Sequence, residues 1–522
     1  MALSIDRQWR RVERYIAENQ IAAARATLES IVNRAPHRND ARMLLASVML
    51  SEGTVRNATE QAVIASRQLA NAAHAVSTVA HALLRVGETN ALRDMLARFD
   101  PSSTRDGLSL MAIAHAYQML GDHANALAML DRARAFGFDG ADFRYCRSLE
   151  LQFGGRLDEA RAELETCLSL GLTHGGAALT LARMRKQSAQ SNHLDYIRAQ
   201  LNTATRGTEH HASFKFAEYK VLEDLGRYDE AFAALKDGND IMYSRLHHDS
   251  AGDENLFGEL IAATSKWPDF SHGKNFDGPT PIFVVGLPRS GTTLLDRILD
   301  NHSQVRSTGE RSEFPRQLRW IADCHGQELI DEKLIARLQR IDFEELGRRY
   351  LEQTQWRAQG HRFYVDKLPA NYMLAGVIRR ALPQAPILHM VRDPMDVCFS
   401  NYKAMFGDAY AHSYDMSALA AHYRRYRRLM RHWHALIPGA IFDVNYNALV
   451  TDPESVARRV FDHCGLNYEP GCTDTTRNVS AIDTLSSAQV REPIHARALG
   501  EWRRYESQLG PLVEGLGDIL RA

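Results

Sequence analysis

The stretch Pro-Ile-Phe-Val-Val-Gly-Leu-Pro-Arg-Ser-Gly-Thr-Thr occupies residues 281–293. Its apolar, β-branched start at 282–285 is typical of a buried parallel strand. Gly286 and Gly291 predict a tight turn, and the apolar spacing from Thr292 onward predicts a helix. A strand, a glycine-rich turn and a helix N-terminus direct backbone N–H groups at one anion. The sequence therefore predicts a loop that holds a phosphate-like group.

The spacing from Gly286 to Gly291 matches the nucleoside-triphosphate P-loop, G-x-x-x-x-G-K-S/T. Thr292 stands where that motif has its lysine, which reaches the terminal phosphates. This difference argues against hydrolysis of ATP or GTP. Arg289 places a cation inside the loop instead. We expect an anion site of a different arrangement, although an ordinary strand–turn–helix connection shares the local pattern.

Size and composition set the outer limits. A chain of 522 residues exceeds one ordinary core, so two or more domains are expected. The 63 basic and 64 acidic side chains balance, so any anion site must be local and no nucleic-acid partner is expected. Six scattered cysteines without a C-x-x-C pair favour a reducing compartment. With no signal-peptide core and no apolar stretch of about 20 residues, we expect a cytoplasmic protein without a membrane span.

The N-terminal part, residues 1–242, is rich in alanine and leucine and poor in proline, which predicts an almost wholly helical region. Three segments share a glycine that is followed five residues later by an alanine. They are 120–126, 155–160 and 226–231. Ala126 and Ala160 are 34 residues apart, and Ala231 follows 71 residues later, close to two such periods. A period of this length, with glycine at the turn and alanine in the second helix, resembles the tetratricopeptide repeat.

Further copies of the repeat are weaker. A degenerate copy is predicted at 174–204, and others near 5–36, 39–72 and 73–101, for a total of about six or seven repeats. Such solenoids present a concave surface, usually to peptides or proteins. A scaffold for the C-terminal domain or a dimer contact fits equally well, so oligomerisation stays open. Residues 243–278 are predicted to be a junction.

In the C-terminal part, short apolar runs typical of strands alternate with segments of helical periodicity. Strands are predicted at 281–285, 362–366, 386–391 and 440–444. Helices are predicted at 292–301, within 311–357, and at 371–381, 394–404, 416–436 and 453–464. Such alternation implies a parallel sheet with helices on both faces, and ligands then bind at the carboxyl ends of the strands.

A second anion-binding pair follows the strand at 386–391. Arg392 stands at its end, and Ser400 follows eight residues later on a helix that begins near Pro394. The guanidinium fork and the hydroxyl can hold one phosphate from two sides. A surface turn with an incidental serine has the same pattern.

The glycine loop taken together with Arg392-Asp393-Pro394 and Ser400 resembles the sulfotransferase family that uses 3′-phosphoadenosine 5′-phosphosulfate (PAPS). The resemblance covers about 279–510 and is closest to the tyrosylprotein sulfotransferase branch, which carries Pro-Arg-Ser-Gly-Thr-Thr. It implies that Arg392 and Ser400 hold the 3′-phosphate of PAPS. It also implies that the loop holds the 5′-phosphosulfate through Arg289, Ser290, Gly291, Thr292 and Thr293.

The same resemblance implies the catalytic groups. Glu310, in a Gly-Glu pair, corresponds to the family's base, with Glu313 as the local rival. Lys367 corresponds to the lysine that stabilises charge on the leaving phosphate oxygen. Ser486 matches the serine that contacts the sulfuryl bridge, and Arg491 adds charge near the 3′-phosphate. No metal is expected, because no acidic strand end like that of a Walker B motif is clear.

We therefore expect an α/β, P-loop-like parallel-sheet sulfotransferase domain at 279–522, preceded by an all-α tetratricopeptide-repeat solenoid at 1–242. In contrast to animal tyrosylprotein sulfotransferases, we expect neither a membrane anchor nor a cysteine pair. The acceptor hydroxyl stays open between a peptide tyrosine, which the repeats weakly favour, and a carbohydrate, lipid glycan or small phenol. Two other classes also stay open, a nucleotide kinase or NTPase with a degenerate P-loop and a non-catalytic repeat adaptor.

Overall fold

The computed structural model describes residues 2–69, 72–170, 174–267, 276–477 and 492–521. Packing divides the chain into two compact units. The first comprises Met1–Phe138, Arg311–Trp356 and Arg380–Leu382, and the second Asp139–Glu310, Arg357–Arg379 and Pro383–Ala522. This grouping by packing differs from a division by sequence character, so the boundaries at 242 and 279 stay a prediction.

The first unit consists of helices that pack in consecutive pairs. Its helices are Ala2–Ala17, Ile21–Arg34, Asn39–Ser51, Val55–Gln68, Ala73–Val86, Thr89–Arg98, Gly107–Leu120, His123–Ala135, Glu313–Ala322, Glu332–Ile335 and Phe343–Thr354. Gly121 turns one pair with a φ of 81°, a left-handed conformation that glycine adopts without strain. Ala126 is fully buried in the second helix of that pair. Gln317 joins the later helices to the earlier ones, since its Nε2 donates to Gly87 O at 2.7 Å.

The second unit begins with further helices. They are Ala141–Phe153, Leu157–Ser169, Gly175–Met184, Leu194–Thr203, Glu209–Asp224, Tyr228–Leu246 and Ser250–Thr264. Gly155 and Gly226 repeat the left-handed turn, with φ of 77° and 74°, and Ala160 and Ala231 are again fully buried. The all-helical N-terminal region is therefore confirmed. Its assignment to the tetratricopeptide repeat stays a prediction.

A five-stranded sheet forms the core of the second unit. Its strands are β1 (Thr280–Gly286), β2 (Val305–Ser307), β3 (Phe363–Asp366), β4 (Ile387–Val391) and β5 (Ile441–Asn445). They lie in the order β2-β3-β1-β4-β5, and every neighbouring pair is parallel. The predicted parallel sheet is confirmed, while β2 was not predicted. Because all strands run the same way, their carboxyl ends meet at one edge of the sheet.

Some helices connect the strands of this sheet, and others follow its last strand. The connecting helices are Thr292–Asp300, Ala375–Ala381, Pro394–Tyr402 and Met416–Leu436, and the helices after β5 are Tyr446–Thr451, Pro453–His463 and Gly510–Leu516. The strand side chains Ile282, Val284 and Leu388 pack with Leu295 and Ile298 in a fully buried cluster. This rigid packing fixes where each strand delivers the residues that follow it.

The longest described helix, Met416–Leu436, has 21 residues but carries many arginines. Within the ranges that the structure covers, no helix combines the length and the apolar character that crossing a bilayer requires.

Candidate active site

The loop after β1 is enclosed so tightly that only glycine fits at two positions. Gly286 and Gly291 have φ of 146° and 107°. A Cβ atom on Gly286 would lie 2.8 Å from Met390 O, and one on Gly291 would lie 2.4 Å from Tyr446 Cδ2. The backbone of β4 and the Tyr446 ring therefore hold the loop in its turn.

A buried hydroxyl lies inside this loop. Ser290 is 1% exposed, and its Oγ has no hydrogen-bond partner among the described residues. Gly291 then caps the helix Thr292–Asp300, whose first residues Thr292 and Thr293 are buried. A buried hydroxyl without a partner at a helix N-terminus is suited to an anion's oxygen atoms.

Positive charge is concentrated at the same place. Arg392 Nη1 donates to Arg289 O at 3.0 Å, and its Nη2 donates to Ala498 O at 2.6 Å. The Arg392 guanidinium also lies over the Tyr446 ring, 4.5 Å from its centroid. Burial, followed by the positive charges of Arg183 and Arg392, lowers the pKa of Arg289 to about 10. Arginines that disfavour one another's charge in this way are stabilised by a bound anion.

The helix Pro394–Tyr402 carries Ser400 and is joined to the loop by its neighbour Asn401. The Nδ2 group of Asn401, which is 2% exposed, donates to Pro288 O at 2.7 Å and to Val397 O at 2.8 Å. The structure thus brings the loop and the helix of Ser400 together. Sequence reasoning missed Asn401, because its bond to Pro288 spans 113 residues. Only its place beside Ser400 could have drawn attention to it.

Glu310 and Lys367 meet because their strands are neighbours. Glu310 lies three residues beyond β2 and Lys367 directly follows β3. Lys367 Nζ donates to Glu310 Oε1 at 2.8 Å. The lysine side chain is fully buried, whereas the glutamate side chain is 41% exposed. A carboxylate open to solvent therefore lies against a cation withdrawn from water.

A second carboxylate, that of Asp296 on the helix after the loop, also acts on Lys367. Burial raises the pKa of Asp296 to about 6, and the charge of Lys367 opposes that rise. Ser307 Oγ donates to Asp296 Oδ2 at 2.9 Å, while Oδ1 is buried without a hydrogen bond among the described residues. Sequence reasoning missed Asp296. The signal available in the sequence was an acidic residue within the helical apolar pattern of 292–300.

Three predicted site residues remain, namely Glu313, Ser486 and Arg491. Glu313 is 3% exposed in the first turn of Glu313–Ala322, so its carboxylate is withdrawn from solvent. The structure therefore leaves Glu310 as the more accessible carboxylate of the two, and its role as base stays a prediction. Ser486 and Arg491 lie outside the described residues.

Two other groups of side chains have the composition of metal ligands. They are His389 with His434 and Asp443, and Asp253 with His412 and His422. In the first group both imidazoles hydrogen-bond to Asp443 Oδ1, at 2.7 Å and 3.1 Å. In the second group the rings of His412 and His422 stack at 3.5 Å with 7° between their planes. Parallel stacked rings cannot both point a nitrogen at one ion, and hydrogen bonding accounts for the first group.

Comparison with known proteins gives this region a family. Residues 281–470 match the Sulfotransferase family. The match spans the glycine loop, Glu310, Lys367, Arg392 and Ser400. The chain therefore carries a sulfotransferase family domain, built on the parallel sheet described above.

Relatives extend the likeness at modest identity. An uncharacterized protein of Aquifex aeolicus is 28% identical over 369 residues, which are 69% of this chain and 48% of the relative, so the chain spans about half of that protein's length. Protein-tyrosine sulfotransferase A of Caenorhabditis elegans is 26% identical over 277 residues, covering 48% of this chain and 67% of the relative. Among solved structures, the sulfotransferase domain of the Synechococcus PCC 7002 olefin synthase is 19% identical with a TM-score of 0.31, covering 44% of this chain and 90% of that one.

Proposed function

Because residues 281–470 carry a sulfotransferase family domain, we propose that the chain transfers a sulfuryl group from PAPS to an acceptor hydroxyl. The observation that supports this most strongly is the contact between Glu310 and Lys367, 2.8 Å apart at the sheet edge that also bears the glycine loop. A base and a cation so placed match the needs of group transfer from a phosphate leaving group.

The donor site fits PAPS by its shape and charge. PAPS brings an activated sulfuryl group on a 5′-phosphate and a separate 3′-phosphate. The enclosed loop offers helix N–H groups and the unpartnered Ser290 Oγ to the first anion. Arg392, whose Nε is buried without a hydrogen bond among the described residues, and Ser400 would hold the second. Recognition of a 3′-phosphate would separate PAPS from ATP.

In the proposed reaction the chain positions groups and stabilises charge. Glu310 accepts the proton of the acceptor hydroxyl, and its 41% exposure leaves the carboxylate open to that acceptor. Lys367, with Ser486, stabilises the charge that develops on the leaving oxygen. The complete burial of Lys367 strengthens its attraction for the leaving oxygen, because water does not screen the two charges. Arg289 and the loop hold the transferring group in line.

For the acceptor we propose a protein tyrosine. The protein-tyrosine sulfotransferases among the relatives support this assignment. The predicted helical repeats favour it weakly, since such repeats suit polypeptide binding. A carbohydrate, a lipid glycan and a small phenol are the alternatives. Incubation of the chain with PAPS and one acceptor of each class, followed by mass spectrometry of the products, distinguishes them. Sulfation of the sugar or phenol alone would overturn the tyrosine assignment.

Calorimetric titration tests the donor site. The full chain is titrated with 3′-phosphoadenosine 5′-phosphate (PAP) and separately with ATP and magnesium. We expect PAP to bind and ATP to bind far more weakly. A preference for ATP would move the loop to the kinase or NTPase class. Binding of neither nucleotide would favour a non-catalytic adaptor.

A further inference from the structure

The helical hairpin Glu209–Asp224 with Tyr228–Leu246 lies in the region predicted to be repeats, yet it packs against the helix that carries Ser400. Asn239 is fully buried, and its Nδ2 donates to Tyr402 O at 3.2 Å. The Phe232 ring stacks on the Tyr402 ring with centroids 6.4 Å apart. The hairpin therefore holds the C-terminal end of the helix Pro394–Tyr402.

Glu223 on this hairpin gathers three side chains around one carboxylate oxygen. Its Oε1 accepts hydrogen bonds from Tyr219 Oη at 2.6 Å and from Tyr505 Oη at 3.3 Å. Lys403 Nζ lies 3.7 Å from the same atom, and both side chains of this ion pair are 17% exposed. Lys403 directly follows the helix of Ser400. Glu223 thus connects that helix to Tyr505, which lies in the C-terminal part of the chain.

The C-terminal segment Ala498–Tyr505 contacts both the helix Pro394–Tyr402 and Arg392. Lys403 Nζ also pairs with Glu501 Oε2 at 3.0 Å. Gly500 N donates to both oxygens of Asp396, at 2.9 Å and 3.1 Å. Ala498 O accepts the bond from Arg392 Nη2 described above. These contacts, together with the backbone between Ala498 and Glu501, link Glu223 to the guanidinium of Arg392.

We propose that Glu223 is a positioning residue for the donor site, which orients Arg392 and Ser400 through Lys403 and the segment that contains Tyr505. The inference rests on the proposed function, since it takes those two residues to bind the 3′-phosphate. The Glu223–Lys403 pair is mostly withdrawn from water, and ion pairs of this kind are often no more stabilising than apolar packing. Fixing the geometry of the helix end is therefore the role that we assign to it. The hairpin is accordingly part of the donor site's support rather than a surface wholly available to partners.

The test compares two nucleotides on the full chain. Wild type and Glu223→Gln are titrated calorimetrically with PAP and with adenosine 5′-phosphate, which lacks the 3′-phosphate. Glutamine keeps the shape and the tyrosine contacts but removes one of the two carboxylate charges that pair with Lys403. We expect PAP affinity to fall about tenfold, the size of one lost charged contact, while affinity for adenosine 5′-phosphate is unchanged.

Two further variants make the result specific. Glu230→Gln is the matched control, because Glu230 pairs with Arg227 and Arg198 at the surface of the same hairpin. It should bind PAP as wild type does. Lys403→Met should reproduce the selective loss of PAP affinity, and the double variant should lose no more than either single one.

The possible failures can be told apart. Unchanged PAP affinity in both Glu223→Gln and Lys403→Met would overturn the positioning role and leave the proposed function intact. Equal losses for the two nucleotides would also overturn it, because general loosening does not select the 3′-phosphate. Failure of wild type to bind PAP would overturn the proposed function and this inference with it.

Discussion

Lys367 Nζ lies 2.8 Å from Glu310 Oε1, although the lysine is fully buried and the glutamate is 41% exposed. The contact follows from the pairing of β2 with β3, whose parallel ends release the two residues side by side. Holding an ammonium group away from water is costly unless the charge is paired, and Glu310 supplies that partner. This pair is therefore the centre of the predictions on catalysis.

Replacement of Glu310 by glutamine should abolish turnover and leave nucleotide binding unchanged. Glutamine keeps the size and a hydrogen-bond acceptor for Lys367 but cannot take up a proton from the acceptor hydroxyl. Steady-state sulfation assays and PAP titration measure the two effects. Glu313→Gln serves as the comparison, since Glu313 is the rival carboxylate. Turnover near wild type in Glu310→Gln with loss in Glu313→Gln would transfer the role to Glu313.

Replacement of Lys367 by methionine should lower kcat by roughly 100- to 1,000-fold, the usual cost of removing one group that stabilises charge in the transition state. Methionine matches the apolar stem of lysine and avoids a cavity. PAP affinity should change much less than kcat, because Lys367 acts on charge that develops during transfer. A loss confined to KM would contradict this role and make Lys367 a ground-state binding residue.

Stability should depend on pH through Asp296. Its pKa rises from 3.8 unfolded to about 6 folded because the carboxylate is buried. The folded state therefore binds the proton more tightly, so stability is greatest below the unfolded pKa and is lost as pH rises through about 6. The loss at neutral pH is on the order of 3 kcal/mol.

Asp296→Asn removes this titration while keeping an acceptor for Ser307. The melting temperature of Asp296→Asn relative to wild type should therefore increase as pH rises from about 4.5 to about 7. Thermal unfolding followed by fluorescence across that range measures the difference, in which titrating groups that do not interact with Asp296 cancel. A difference that stays flat or falls with pH would contradict the raised pKa.

Most of the sheet could be read from the sequence, because four of its strands are apolar runs bounded by turns. The predicted strand at 281–285 lies within Thr280–Gly286, and that at 386–391 contains Ile387–Val391. β2 escaped notice because it has three residues, Val-Arg-Ser, of which only the first is buried. A strand so short and half-polar owes its existence to pairing with β3, a tertiary contact that local pattern does not carry.

The strand β2, which was not predicted from the sequence, also explains which features of the site could not be predicted. The residue types at 310 and 367 were recognisable from motifs, yet their contact depends on β2 lying beside β3. Asn401 and Glu223 were missed for a related reason, since each acts through contacts more than 100 residues away. Loop glycines, by contrast, were predictable, because the conformation they require is local.

Replacement of Arg392 by alanine should weaken binding of PAP but spare adenosine 5′-phosphate. The guanidinium is proposed to meet the 3′-phosphate, which the second nucleotide lacks. Ser400→Ala should show the same selectivity with a smaller effect, because a neutral hydroxyl donor is lost instead of a guanidinium that also carries charge. Calorimetric titration of both variants with both nucleotides gives the ratio of the affinity for PAP to the affinity for adenosine 5′-phosphate. An equal loss for the two nucleotides would assign Arg392 to support of the loop through its bond to Arg289 O.

Gly291→Ala should destabilise the protein and abolish PAP binding. A Cβ atom at this position would lie 2.4 Å from Tyr446 Cδ2, at a backbone φ of 107° that alanine rarely adopts. Gly439→Ala is the matched control, because Gly439 has a φ of 75° but no atom within 4 Å of an added Cβ. The control should cost about 1–2 kcal/mol from backbone strain alone, and Gly291→Ala about 1–3 kcal/mol more from the clash. Thermal unfolding gives both values.

The double variant Gly291→Ala with Tyr446→Ala removes the clash, and PAP binding lost in the single variant should return in part. If Gly291→Ala unfolds no more readily than Gly439→Ala and still binds PAP, the Tyr446 ring does not hold the loop closed.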